Sequence, residues 1–180
     1  SNVGQSWERR KETMETNVMG TFYLLEAVKK YAAGARFLFV SSAEIYGGSA
    51  AAGRPLTEDG PVSAVSPYAL SKLQGELLGA FCGRADGLDI VIARPFAHTG
   101  PGQSPDFVCS DWARQIVRVE RGAQESVIRT GDLDIRRDFT DVRDVVRAYL
   151  LLLQKGERGE AYNICRGEAV PLGRILEILL

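Results

Sequence analysis

Two short apolar runs constrain this chain most. Arg36-Phe-Leu-Phe-Val-Ser41 and Leu88-Asp-Ile-Val-Ile-Ala93 are nearly unbroken in large apolar side chains. A strand with one wet face alternates apolar and polar residues; a run that is apolar at almost every position must be covered on both faces. That is the situation of a parallel strand inside an α/β sheet. Between the runs lies a helix-length segment beginning at Ser66-Pro67. Strand, helix and strand in that order read as a right-handed βαβ unit, which brings the carboxyl ends of both strands to one edge of the sheet. Ligands bind at that edge in open α/β folds.

The segment after Ser66 carries the first candidate chemistry. Ser66 is a good N-cap and Pro67 suits the first helical position. Tyr68 and Lys72 are then one turn apart and share a face. An ammonium held near a phenol favours the phenolate, so Lys72 is expected to pull the Tyr68 pKa below its ordinary value of about 10. Such a pair can act as a general acid or base. On a solvated helix the same two residues would do nothing. Leu70, Leu73, Leu77, Leu78 and Phe81 are the expected apolar positions of this helix, and Gly75 and Gly79 suggest close packing.

The remaining pattern is α/β throughout. Trp7 to Lys30 reads as a helix, with Val18, Phe22, Leu25, Ala27 and Val28 inward and Gly34 as its stop. Asn17 inside it either faces solvent or holds a local bend. Beyond the first strand, Ser42 and Glu44 are two apart, so extended geometry would place them on one side. Residues 47–65 and 95–105 read as loops rich in Gly, Ala, Ser and Pro, the second holding His98. Phe107 to Gly122 reads as a helix with Phe107, Val108, Trp112, Ile116 and Val117 inward. Val127 to Thr130 reads as a short strand. Arg136 to Asp141 opens a further helix, capped by Thr140 or Asp141, whose buried stripe is Val142, Val145, Val146, Tyr149, Leu150 and Leu153. Ala161 to Cys165 reads as a third short strand and Pro171 as the start of a last helix.

Composition narrows the function. The 180 residues carry a net charge of −1, so no basic field argues for nucleic acid or an anionic membrane. No apolar run reaches the roughly eighteen residues of a membrane span, and no signal-peptide pattern is present. Cys82, Cys109 and Cys165 are scattered and odd in number, which reads as a reduced, cytoplasmic chain without a disulfide framework or zinc site. His98 is the only histidine, so a Ser-His-Asp triad or a His-rich metal site is not expected.

The motifs together resemble a known family. Asn17-Val18-Met19-Gly20-Thr21, Ser41-Ser42-Ala43-Glu44-Ile45-Tyr46-Gly47, Ser66-Pro67-Tyr68 to Lys72, Arg94-Pro95-Phe96, Gly100-Pro101-Gly102, Arg137-Asp138-Phe139 and Tyr162-Asn163 occur in the order seen in extended short-chain dehydrogenase/reductases acting on nucleotide sugars. Within that group the stretches from Gly100 to Val108 and from Arg137 to Asp144 look most like GDP-4-keto-6-deoxy-mannose reductases, with GDP-mannose 4,6-dehydratases close by. The family opens with a Gly-x-x-Gly-x-x-Gly unit that cradles the dinucleotide pyrophosphate. No counterpart is found here, so the chain is expected to be a fragment that alone holds dinucleotide weakly and self-associates.

The resemblance implies an α/β fold: the C-terminal part of a doubly wound, Rossmann-like, NAD(P)-binding parallel sheet, over 1–95 and 140–165. A small mixed α/β substrate domain would cover 96–139 and 166–180. It implies hydride transfer between NADP or NAD and C4 of a nucleotide-linked sugar, a GDP-sugar being favoured. Tyr68 would be the proton donor, Lys72 its partner and a ribose contact, and Ser42 a hydrogen bond to the same sugar oxygen. Glu44 is the carboxylate a dehydratase would need. Pro95 and His98 would lie by the cofactor, Arg137 would meet the diphosphate, and Asn17 would support the site. Ala97 stands where the family usually has a diphosphate-contacting Asn, and cannot make that bond. The resemblance also implies a cytoplasmic homodimer built from the helices around Asn17 and Tyr68. A 4,6-dehydratase, a 4-epimerase and a non-catalytic nucleotide-sugar-binding module are the competing readings.

Overall fold

The structure, a computed structural model, describes residues 3–52 and 55–180. Gly53 and Arg54, part of the loop expected over 47–65, lie outside the described residues. The chain forms two compact units, Ser1–Phe96 with Val146–Ile164, and Ala97–Val145 with Cys165–Leu180.

The first unit is built on a parallel sheet ordered β1 (Arg36–Val40), β2 (Asp89–Pro95), β5 (Ala161–Ile164). Successive side chains of a strand point to opposite faces. Ile90 accordingly joins Leu25, Cys82 and Leu88 in one buried cluster with Phe37. Val91 and Ala93 join Leu152 in another, with Leu38, Tyr149, Tyr162 and Ile164. Both faces are packed along β2, which is buried from Ile90 to Pro95, whereas β1 is mostly half-buried and Val40 at its end is exposed. On the first face lie α3 (Gly20–Tyr31) and α4 (Pro67–Ala85); on the second lies α6 (Val142–Lys155), which begins in the other unit. Before α3 come α1 (Gln5–Glu8), α2 (Arg10–Met14) and a π-helical turn over Glu15–Met19. Asn17 sits inside that turn, so it marks a local change of helical pitch.

The apolar stripe expected on α4 is packed only in part, through the half-buried Leu73 and Leu78, the latter against the first cluster. Leu70, Leu77 and Phe81 are exposed, and the buried residues are Ala69, Ser71, Gly75, Glu76, Gly79 and Cys82. The helix packs through its small side. A Cβ on Gly75 would lie 2.2 Å from Phe39 Cζ, so only glycine lets α4 approach β1 this closely. In α6 likewise, Val145 and Leu152 are buried while Val146, Leu150 and Leu153 are exposed. Phe22 and Ala27 of α3 are also exposed. These helices have more apolar residues than one contact face accommodates.

The second unit holds β3 (Ala97–Thr99), β4 (Arg136–Asp141) and β6 (Ala169–Pro171), with β3 parallel and β6 antiparallel to β4. Two expectations fail here. Arg136 to Asp141 is a strand, and the helix starts only at Val142, where Asp141 Oδ1 accepts from Arg143 N at 2.8 Å. Residues 127–130 form no strand: Gln115 of α5 (Val108–Glu120) donates through Nε2 to Arg129 O at 3.1 Å and accepts from Arg129 N at 2.8 Å. A buried amide thus serves as the partner a neighbouring strand would have been. Trp112 is core, as expected, whereas Phe107 and Val117 are exposed. Part of the loop over 95–105 is the strand β3. The last helix is α7 (Leu172–Leu179).

Candidate active site

The start of α4 is fixed by two serines. Pro67 has no N–H to satisfy. The next donor, Tyr68 N, gives its hydrogen bond to Ser6 Oγ at 3.2 Å, and Ala69 N gives its own to Ser66 Oγ at 3.1 Å. Ser71 Oγ donates to Tyr68 O at 2.7 Å and accepts from Asn17 Nδ2 at 2.9 Å. The π-helical turn is thereby tied to the backbone of Tyr68.

Tyr68 and Lys72 do share a face. Lys72 Nζ lies 5.8 Å from the Tyr68 ring centroid and 5.7 Å from that of Phe39, and donates to Val40 O at the end of β1 at 3.0 Å. Ser42, buried just beyond that strand, hydrogen-bonds the Tyr68 phenol. Ser41 Oγ beside it is buried and, among the described residues, has no hydrogen-bond partner. The carboxyl end of β1 thus gathers two hydroxyls, a phenol and an ammonium.

Two expectations about this cluster are corrected. Ser42 and Glu44 are not on one side of an extended segment. A 3-10 helix over Ala43–Ala52 begins between them, Ser42 Oγ accepts from Glu44 N at 3.2 Å, and Glu44 is exposed while Ser42 is buried. The Tyr68 pKa is raised, not lowered. Burial pushes it up, the hydrogen bond from Ser42 draws it back, and the Glu44 charge raises it further. Lys72 spends its ammonium on a backbone carbonyl, and burial lowers its own pKa. At neutral pH the phenol keeps its proton. Tyr149 of α6 is close enough to be felt: burial first, then Tyr68, pushes its pKa up to about 12.

The other candidates take different positions. Pro95 is buried at the end of β2, in register with Ile164 of β5. Ala97, His98 and Arg137 belong to the second unit. Ala97 and His98 lie on β3 opposite Phe139 and Thr140, and the His98 carbonyl accepts from Gln103 Nε2 at 3.0 Å. Arg137 is exposed on β4, and among the described residues no carboxylate pairs with it.

The family model for GDP-mannose 4,6-dehydratase matches residues 1–179. The chain belongs to that family. It is 40% identical over 177 residues to the GDP-6-deoxy-D-mannose reductase of Pseudomonas aeruginosa, covering 98% of this chain and 58% of that protein. It is 35% identical over 180 residues to the dTDP-glucose 4,6-dehydratase of Streptomyces niveus, covering 100% and 51% respectively. Among solved structures, RMD from Pseudomonas aeruginosa complexed with NADPH matches with a TM-score of 0.94 at 39% identity, over 99% of this chain and 62% of that one. The dTDP-glucose 4,6-dehydratase DesIV of Streptomyces venezuelae, as a double mutant with NAD and DAU bound, matches with a TM-score of 0.87 at 30% identity, over 100% and 53%. The Rossmann-like fold read from the motifs is therefore the fold of the family, and the chain spans about half to three fifths of the length of these relatives.

In this member of the GDP-mannose 4,6-dehydratase family, sequence reasoning missed several supporting groups. Ser6 and Ser71 had no signal. Glu76 had one, since it falls at i, i+4, i+8 with Tyr68 and Lys72. Arg94 stood in a noted motif without a role, and Tyr46 and Asn163 likewise.

Proposed function

We propose that the complete protein is an NAD(P)-dependent nucleotide-sugar oxidoreductase that reduces the C4 keto group of GDP-4-keto-6-deoxy-mannose. The observation that carries this reading is the half-buried Tyr68 phenol, hydrogen-bonded by the Ser42 hydroxyl with the Lys72 ammonium one turn away. Tyr68 gives its proton to the C4 oxygen. The phenolate left behind is stabilised by the nearby Lys72 charge. Ser42 also orients the same sugar oxygen.

The residues at the end of β1 fit a nicotinamide nucleotide. The unpartnered Ser41 hydroxyl, the Tyr68 phenol and the Lys72 ammonium are the donor and acceptor set that a ribose diol takes. Lys72 and Tyr68 would hold that ribose, with Pro95 and His98 beside it. When bound, the nicotinamide supplies the hydride. Arg137, exposed and, among the described residues, without a carboxylate partner, would meet the sugar diphosphate through charge-assisted hydrogen bonds, in a site where Ala97 adds none. The first unit is read as the dinucleotide-binding part and the second as the nucleotide-sugar part. The exposed Phe22 and Tyr23 of α3 with Leu70, Leu77 and Phe81 of α4 support a homodimer. Among the described residues no helix is long and apolar enough to cross a membrane.

Glu44 supports a second reading, a 4,6-dehydratase, because its charge reaches Tyr68 and an exposed carboxylate there could take a C5 proton. A reductase consumes one reduced nicotinamide per turnover and a dehydratase none, so NADPH oxidation measured against product separates them. For the shared role of Tyr68, Tyr68→Phe in the complete protein lowers turnover at least about a hundredfold, with GDP-sugar affinity by calorimetry unchanged. Near-normal turnover removes Tyr68 from the chemistry.

A further inference from the structure

The first unit buries one ion pair that this chemistry does not use. Glu76 lies on the α4 face that carries Tyr68 and Lys72, two turns on from the tyrosine. It and Arg94, near the end of β2, are 5% and 8% exposed. Arg94 Nε donates to Glu76 Oε1 at 3.0 Å and Nη2 to Oε2 at 2.8 Å. The third arm, Nη1, donates to Tyr46 Oη and to Glu58 O, both at 2.9 Å. Tyr46 in turn donates to Asn163 Oδ1 of β5 at 2.8 Å. One guanidinium therefore ties together α4, the 3-10 segment and the chain around Glu58.

Burying such a pair contributes little to stability compared with apolar side chains of similar size. What it does supply is geometry, because a planar fork with every arm committed permits only one arrangement of its partners. Tyr46 lies on the same short segment as Glu44 and four residues beyond Ser42. Through Glu76 and Tyr46, Arg94 thus grips both segments that meet at the phenol.

We propose that Arg94 is a positioning residue: by pairing with Glu76 on one side and Tyr46 on the other, it sets the register in which the Ser42 hydroxyl meets the Tyr68 phenol. The proposal rests on the reading of Tyr68 as the proton donor. Lysine at 94 keeps the charge but cannot hold both partners at once. The groups that act on the phenol are Ser42 just before the 3-10 segment, Glu44 within it, Lys72 from its own helix and Tyr149 from α6. Of these, the Ser42 hydrogen bond draws the phenol pKa down. Loosening the register weakens that bond and moves the Tyr68 titration upward.

The test uses the complete protein labelled with carbon-13 at the tyrosine ζ position, with the Tyr68 resonance assigned by its loss in Tyr68→Phe. Ser42→Ala, Arg94→Lys and Tyr46→Phe each move the Tyr68 titration to higher pH. Arg36→Lys, which alters the ion pair with Asp89 at the other end of the same strands, leaves it in place. In turnover, Arg94→Lys lowers kcat about tenfold while KM changes less than about twofold, as misplacement of a reacting group predicts. Adding Arg94→Lys to Ser42→Ala costs little more than Ser42→Ala alone. The proposal is overturned if Tyr68 titrates as in the wild type in folded Arg94→Lys and Tyr46→Phe proteins. It is equally overturned if Ser42→Ala leaves the titration unmoved, since no contact then exists for Arg94 to set. If Arg94→Lys does not fold, Tyr46→Phe decides. Turnover that survives Tyr68→Phe would sink the enzymatic reading while leaving the titration result to stand or fall by itself.

Discussion

Replacing Gly75 by alanine tests how α4 is seated on β1. In a helix interior that exchange ordinarily stabilises by about 1 kcal/mol, because glycine loses more backbone entropy. Here the new Cβ would lie 2.2 Å from Phe39 Cζ, 2.8 Å from Cε2 and 3.2 Å from Cε1. The ring is buried, so the helix and the sheet must move apart or the ring must leave its place. Overpacking of this kind costs about 1–3 kcal/mol, and two clashes plus a tight third contact with one ring put it at the upper end. The expected net result is a loss of about 1–2 kcal/mol. Gly79, one turn on, is the internal control: its Cβ would lie 3.4 Å from Ile90 Cγ2, so Gly79→Ala keeps most of the propensity gain and stabilises by about 0.5 kcal/mol. Urea unfolding of the complete protein, with unchanged m, reads both numbers. Adding Phe39→Leu to Gly75→Ala recovers part of the loss, giving a coupling energy of about 1 kcal/mol. Gly75→Ala as stable as Gly79→Ala, or no coupling to Phe39, would refute this packing.

Asp138→Asn removes an anion that accepts from Arg166 N at 2.8 Å, Gly167 N at 2.7 Å and Glu168 N at 2.9 Å. The expected loss is about 1–3 kcal/mol, with faster hydrogen exchange at these three amides; unchanged exchange would show that the carboxylate does not hold the loop. Tyr149 makes stability fall at high pH. Its folded pKa is raised to about 12 from the ordinary tyrosine value of about 10, so the unfolded chain releases the proton first. The stability present below about pH 10 is therefore lost as pH rises toward 12, and Tyr149→Phe flattens the dependence of the urea midpoint on pH in that window.

What was legible in the sequence was whatever depends on local pattern. Both runs announced strands, of which β2 is covered on both faces, and Ser66-Pro67 announced a helix start, because a cap and a missing N–H act within one turn. The failures lie where a distant partner decides. Arg136 to Asp141 looked like a helix entry, since Asp141 does cap one; only pairing with β3 and β6 makes the residues before it a strand. The leucines of α4 marked a plausible buried stripe, yet the sheet selects the glycine side, and nothing within α4 itself reveals that Phe39 will occupy that groove.

The tyrosine illustrates the same division inside the site. Spacing alone puts Tyr68 and Lys72 on one face, and that much is observed. The protonation state does not follow from the spacing, because it depends on what surrounds the pair. Lys72 turns to the carbonyl that ends β1, burial raises the phenol pKa, and Ser42 arrives from a segment whose path is held by a guanidinium on another strand. Each contribution comes from a different part of the chain, and their sum has the opposite sign from the isolated pair. A side chain one turn away on the same helix therefore does not decide the direction of the phenol's shift; the end of β1 and the segment that follows it do.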